Sequence, residues 1–270
     1  MRRLLCASLL PTVAVGVAAA PAWAEPWIPA AGHGTTKPMV RLFSANTSFP
    51  HTNFTNHTIP ASKETMTQLR LTGTTGVGYG LALNYDLRWG TTQISKRGRS
   101  VTTSGLQDEE IGLGYGLTQT RLFADAIELN LVIPAGQTKP APAQGTGRWA
   151  VEPDLDLGLH YGAFGATLLV GPRIFLDGNA IQFRTELDLA AHATPRLTFT
   201  GSVFFVDTAQ TGSVPPPGAS GELYNLLRLG LGVEYRLTDS LRPFFSYQDY
   251  VAGKGIHAGN RIEIGLVVKY

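Results

Sequence analysis

Leu227-Arg228-Leu229-Gly230-Leu231-Gly232-Val233-Glu234-Tyr235-Arg236-Leu237 alternates without a break. Leu227, Leu229, Leu231, Val233, Tyr235 and Leu237 share one face; Arg228, Gly230, Gly232, Glu234 and Arg236 share the other. Successive side chains of a β-strand point to opposite faces, so this segment is a strand with one apolar and one polar side. Val151 to Tyr161 repeats the pattern. Val151, Pro153, Leu155, Leu157, Leu159 and Tyr161 face one way, and Glu152, Asp154, Asp156, Gly158 and His160 face the other. The same period runs through Leu81–Trp89, Ile111–Leu117, Ile127–Ile133, Ile181–Leu189 and Ile262–Tyr270, and no long stretch carries a helical period.

Extended along the chain, the alternation predicts strands at 37–49, 65–75, 81–95, 106–117, 123–135, 149–162, 165–177, 180–192, 196–208, 224–238, 241–252 and 259–270. That is about twelve, an even number as in single-chain bacterial barrels. Connections alternate too. Those near 50–64, 96–105, 136–148 and 209–223 are long and polar or Pro/Gly-rich; those near 76–80, 118–122, 163–164, 193–195 and 239–240 are short, and 177–180 reads as a tight hairpin on the long-loop side. Short periplasmic turns and long outer loops are the outer-membrane arrangement, with both termini periplasmic. A soluble sandwich alternates as well, but aromatics here bracket the apolar faces: Trp89, Trp149 and Tyr247 at the expected outer ends, Tyr115, Tyr161, Tyr235 and Tyr270 at the inner ends. The strand from Trp149 to Tyr161 is about 40 Å long at roughly 3.3 Å per residue. Tilted by about 45°, it spans roughly 28 Å, close to the height of the apolar band between aromatic girdles. The expected fold is therefore all-β: a closed antiparallel transmembrane β-barrel of the Gram-negative outer membrane.

The N-terminus fits export. Arg2 and Arg3 precede an apolar run, Leu4 to Ala20, and Ala22-Trp23-Ala24 offers the small residues that a signal peptidase needs. The expected division is a signal peptide at 1–24, cleaved after Ala24; a periplasmic segment or short plug at 25–36; and the barrel at 37–270. The single cysteine, Cys6, lies inside the signal, which leaves the exported chain without disulfide or thiolate chemistry. The net charge of +2 and the lack of a dense basic run exclude a nucleic-acid footprint. After residue 24 no apolar segment is long enough to span as a helix. The chain stops on Tyr270 inside an alternating strand, which resembles the C-terminal signal read by the barrel assembly machinery. Expected partners are that machinery, outer-membrane lipids with lipopolysaccharide, and a small-molecule permeant.

Several segments resemble the outer-membrane family linked to meta-pathway phenol degradation, whose members are described as transporters. They are Ser104-Gly105-Leu106-Gln107-Asp108-Glu109-Glu110-Ile111-Gly112-Leu113-Gly114-Tyr115, the Gly171-Pro172-Arg173 stretch, and Glu186-Leu187-Asp188-Leu189 followed by Pro195-Arg196-Leu197. The start Trp27-Ile28-Pro29-Ala30-Ala31-Gly32-His33-Gly34 also resembles an entry segment of related barrels, including ones tied to biofilm or surface polysaccharide. The resemblance implies passive uptake of small hydrophobic or aromatic compounds. It carries over no site residues.

The polar faces concentrate charge of both signs: Asp86, Arg88, Asp108, Glu110, Glu128, Glu152, Asp154, Asp156, Arg173, Arg184, Glu186, Asp188, Arg228, Glu234, Arg236, Arg261 and Glu263. Two readings stand, a structural salt-bridge lining and a constriction that selects permeants. The candidate constriction is Glu152, Asp154, Asp156, Arg173, Arg184 and Glu186. With Tyr161 opposite Ala166 and Asp177 opposite Ala180, Asp154 faces Arg173 and Arg173 faces Arg184. His160 and His192 face inward with intervening strands placing them roughly 10 Å apart, which reads as two separate lumen histidines and no metal site. No histidine falls on a lipid-facing strand position, so the Ser–His pair of barrel-borne lipid hydrolases is not expected. No catalytic residue or cofactor is expected either. The inward glycines, Gly112, Gly114, Gly230 and Gly232, either let strands curl or make room in the lumen; curling is the preferred reading, with serine at Gly230 and Gly232 expected to be tolerated better than arginine at Leu231. The competing function is a non-transport structural or surface-interaction envelope barrel.

Overall fold

The protein is described here from a computed structural model that covers residues 26–139, 141–177, 180–210 and 224–270. The expected signal peptide and its cleavage point lie outside these residues, as do positions 178–179 of the 177–180 hairpin. The alternating segments form strands β1 (Gly34–Ser48), β2 (Ile59–Gly78), β3 (Leu81–Lys96), β4 (Arg99–Leu106), β5 (Glu109–Gln119), β6 (Phe123–Ile133) and β7 (Ala150–Tyr161), then β8 (Phe164–Phe175), β9 (Ala180–His192), β10 (Leu197–Gln210), β11 (Asn225–Tyr235), β12 (Leu241–Lys254) and β13 (His257–Lys269). All pairings are antiparallel between neighbours. β13 returns to β1, and β2 pairs with β3, which closes the sheet. β4 and β5 share one position, both lying against β3, so the barrel has 12 staves. Closure leaves no strand edge in lipid.

The 96–105 region, expected as a loop, is a continuation of the sheet. β3 and β4 pair from Trp89–Leu106 out to Lys96–Arg99 around Arg97 and Gly98, whose φ values are 49° and 77°. Two left-handed residues make the turn that matches strand twist in a two-residue hairpin. With the outer half of β2 alongside, it forms a raised wall. Between Leu106 and Glu110 the chain has one more residue than its partner stretch Asp86–Trp89, a β-bulge. The extra residue reverses the alternation, so adjacent Gln107 and Asp108 are both buried.

The facing assignment holds. Leu231 is 75% exposed and Leu129 60%, whereas Glu152 is 2% exposed and Glu263 1%. The aromatic rows stand outward as expected, among them Trp89, Trp149 and Tyr247 and, at the other end, Tyr115, Tyr161 and Tyr235. The interior also holds apolar layers. Met39, Phe244 and Val267 meet toward the inner end, and Phe204, Val206 and Leu226 toward the outer end, with Tyr224, Tyr250 and Ile256 against the latter. The lumen glycines make room for side chains instead of merely curling strands. A Cβ at Gly112 would collide with Asn130, and one at Gly158 with Pro26 and Trp27.

Candidate functional site

Near the outer end of the lumen, charges link into one ladder. Arg70 on β2 holds Asp86 on β3, with Nη2 2.5 Å from Oδ2. Asp86 also pairs with Arg88, whose Nη2 lies 2.9 Å from Glu110 on β5. Glu110 accepts from Arg173 Nη2 at 2.6 Å, and Arg173 Nε donates to Glu152 Oε2 at 2.7 Å. Arg184 on β9 closes the row on the other oxygen of Glu152. Guanidinium groups can bridge carboxylates because each presents donors in a planar fork. Four arginines, 70, 88, 173 and 184, thus share three carboxylates, 86, 110 and 152, leaving the ladder one positive charge in excess. A second group joins Arg41, Glu263 and Arg261, and Arg242 pairs with Glu234 at 2.9 Å. Arg228 stacks over Phe204, 4.2 Å from the ring centre, with Glu186 3.8 Å away.

The expected register is corrected by two residues at both hairpins. Tyr161 pairs with Phe164, not Ala166, because Gly162 at φ 61° permits a two-residue turn. Gly171 is opposite Arg184 and Gln182 opposite Arg173. Glu152, and not Asp154, is therefore the carboxylate on Arg173, while Asp154 packs against Gly171 and accepts from Asn130 Nδ2 at 3.0 Å. Of the six candidate residues, the structure joins Glu152, Arg173 and Arg184. It puts Asp154, Asp156 and Glu186 on a separate acidic wall, one step deeper. Three further expectations change. Arg236 lies beyond the end of β11, half-exposed, with Asp239 3.8 Å away at the turn. Asp108 is buried under an outer loop. His160 and His192 approach to 6.3 Å between ring centres, not roughly 10 Å. Among the described residues, no group of three or more His, Cys, Asp or Glu is arranged to hold a metal ion.

Below the acidic wall, Pro26 to Pro29 enter the barrel from the periplasmic end. Trp27 Nε1 donates to Thr120 O at 2.8 Å, and the side-chain amide of Gln119 receives Ile28 N and donates to Pro26 O. Pro26 is fully buried. Between this segment and the ladder a cavity of about 210 Å³ remains, bordered by Trp27, Tyr85, Leu169, Glu128, Asp154 and Glu186 among others. Above the ladder residues 134–139 and 141–149 fold onto the mouth. Asp108 accepts from Thr146 N and Oγ1, both at 2.7 Å, and Gln144 bonds Gln107 and the carbonyl of Thr103. Sequence reading missed Gln107, because a bulge leaves no periodic mark. It also missed Arg41 and Arg70, although Leu69-Arg70-Leu71 carries the alternation that would have found Arg70.

No family model matches the chain, and no curated protein matches it in sequence. Solved structures do match. The crystal structure of an outer-membrane channel from Pseudomonas putida F1 aligns with a TM-score of 0.71 at 13% identity, over 92% of this chain and 98% of that one. The KdgM porin aligns with a TM-score of 0.52 at 7% identity, over 87% and 99%. The translocator domain of the autotransporter NalP from Neisseria meningitidis gives 0.52 at 9% identity, over 88% of each chain. At these identities the likeness is one of fold. With the apolar outer belt and closed sheet, it makes the chain a β-barrel of the bacterial outer membrane.

Proposed function

We propose that the barrel is a passive channel for small hydrophobic or aromatic compounds, with the arginine–carboxylate ladder as its constriction and residues 25–36 as a short periplasmic plug. The observation that carries this reading is the cavity left in the lumen between Glu152, Arg173 and Arg184 above and Trp27 below. A barrel built only for strength would gain from filling that space, since unfilled volume forfeits packing. Similarity to meta-pathway segments supports aromatic permeants, and the likeness in fold to an outer-membrane channel and a porin supports conduction. The raised β2–β4 wall favours the second reading, a surface-interaction barrel, because it extends the sheet where partners or polysaccharide would meet it. Tyr270 is proposed as the signal for the assembly machinery, and lipopolysaccharide as the partner of the outer apolar belt.

The deciding experiment is single-channel conductance in planar bilayers for the intact barrel and for a variant lacking residues 26–30, alongside growth of a deletion strain on aromatic carbon sources. A channel with a plug shows small conductance that rises at least twofold on the deletion, together with impaired growth on one or more of those compounds. Silence of both proteins with normal growth would favour the surface-interaction reading.

A further inference from the structure

Five carboxylates face the lumen just below the ladder. Glu128 on β6 is directly opposite Asp154 on β7. Asp156 follows on the same face of β7 and is opposite Leu169, which is in turn opposite Glu186 on β9; Asp188 lies two residues further along β9. Among the described residues, Glu128, Asp154, Asp156 and Asp188 make no ion pair, whereas the ladder above has guanidinium groups in excess. Negative charge is thus concentrated on one wall, with Lys37 and Arg184 bordering the same space.

Asp156 is the sharpest feature of that wall. It is 1% exposed, and neither carboxylate oxygen meets a protein donor. A buried carboxylate without donors is costly. Asp154 is 5% exposed, and one of its oxygens is likewise without a donor. The cavity beside Asp154 is not uniformly polar, and Asp156 does not itself border it. Trp27 and Leu169 border it, together with the carboxylates Glu128, Asp154 and Glu186 and the cations Lys37, Arg70 and Arg184, of which Arg70 is held by Asp86 and Arg184 by Glu152. The indole is held by its bond to Thr120, and Gly158, two residues after Asp156, is the position it packs against. An apolar surface and an aromatic face beside unpaired carboxylates are the recognition elements for an ammonium group attached to a hydrophobic body. A bare inorganic cation has no use for the leucine and the tryptophan. A neutral aromatic has none for the carboxylates.

We propose that this cavity binds small organic ammonium ions, with the ammonium group on Glu128 and Asp154 and the hydrocarbon part against Trp27 and Leu169. The inference deepens the channel reading and rests on it for its biological sense, naming protonated amines with a hydrophobic body as a permeant class.

Calorimetry on the full barrel in detergent tests this, with 2-phenylethylamine, 2-phenylethanol and calcium chloride as probes. The expected result is binding of the amine at least tenfold tighter than the alcohol. Glu128→Gln combined with Asp154→Asn should bring amine and alcohol within about twofold, and Trp27→Ala should weaken the amine while leaving that pair of carboxylates in place. Heat-modifiable gel migration confirms that each variant is folded. If the double variant does not fold, Asp154→Asn alone should cut the preference by at least threefold. Equal binding of amine and alcohol, or binding of calcium with no competition from the amine, would overturn the proposal. Because calorimetry needs no transport, amine binding without conductance or uptake defeats the channel reading alone, and uptake without amine preference defeats this inference alone.

Discussion

Arg173 on β8 reaches across β7 and β6 to Glu110 on β5, its Nη2 2.6 Å from Oε1. The strands between carry the contact only because Glu152 on β7 sits beneath the same guanidinium, accepting from Nε at 2.7 Å. One side chain thereby joins two distant walls of the barrel. A buried arginine with two carboxylate partners is hard to replace, since its loss leaves Glu110 to Arg88 alone and Glu152 to Arg184 alone.

Arg173→Ala should therefore destabilise the barrel by about 3 kcal/mol in urea unfolding. It should also raise conductance and shift the reversal potential toward cations, because the ladder loses its one excess positive charge. A double-mutant cycle discriminates between registers. Arg173 and Glu152 should couple by at least about 1 kcal/mol, whereas Arg173 and Asp154 should be close to additive. An unchanged reversal potential would remove the ladder from the permeation path.

Leu231 faces outward and is 75% exposed, between two lumen glycines. Leu231→Arg places a charge in lipid and should cost about 2–4 kcal/mol. Gly230→Ser, expected from the alternation to be tolerated better than that charge, should still be costly. Its Cβ would fall 2.9 Å from Gln248 Cγ and closer still to Ser202 Oγ. Overpacking of this kind costs about 1–3 kcal/mol. Urea titration in liposomes measures both, and a Gly230→Ser barrel as stable as the parent would refute the packing.

Asp108 ties the 141–149 segment to the wall through Thr146 N and Oγ1. Asp108→Ala removes the acceptors from these donors and should cost about 1–3 kcal/mol locally. The loop should become a site of rapid protease cleavage from the outer side, with the strands still protected. Cleavage at the parental rate would show that Gln144 and Gln107 suffice to hold it.

Tyr270 completes the seam between the last strand and the first. Its backbone exchanges bonds with Gly34 at 2.9 and 3.1 Å, and its hydroxyl lies 2.6 Å from Thr75 Oγ1. Tyr270→Phe removes only the hydroxyl contact and should leave membrane yield intact with a small loss of stability. Tyr270→Asp should lower outer-membrane yield severalfold while export to the periplasm continues. Equal yields for Asp and Tyr would argue against an assembly role for this residue.

Alternation by itself determined the all-β class, the closed barrel, the two faces of each strand and the aromatic rows, because side-chain direction in a strand is a local property with a period of two. It was right about the inward charges on β7, β8 and β9 for the same reason. What faces what was decided only by the folded sheet. A two-residue slip at the Tyr161–Phe164 turn keeps every side chain on its face, so the pattern is blind to it, yet it moves Arg173 from Asp154 to Glu152. The bulge at Gln107–Asp108, the bond from Trp27 to Thr120 and the 6.3 Å approach of His160 to His192 are of the same kind. Each depends on turn length, on sheet curvature or on a chain end returning to the lumen, and these distances are set by closure of the whole barrel rather than by any stretch of sequence.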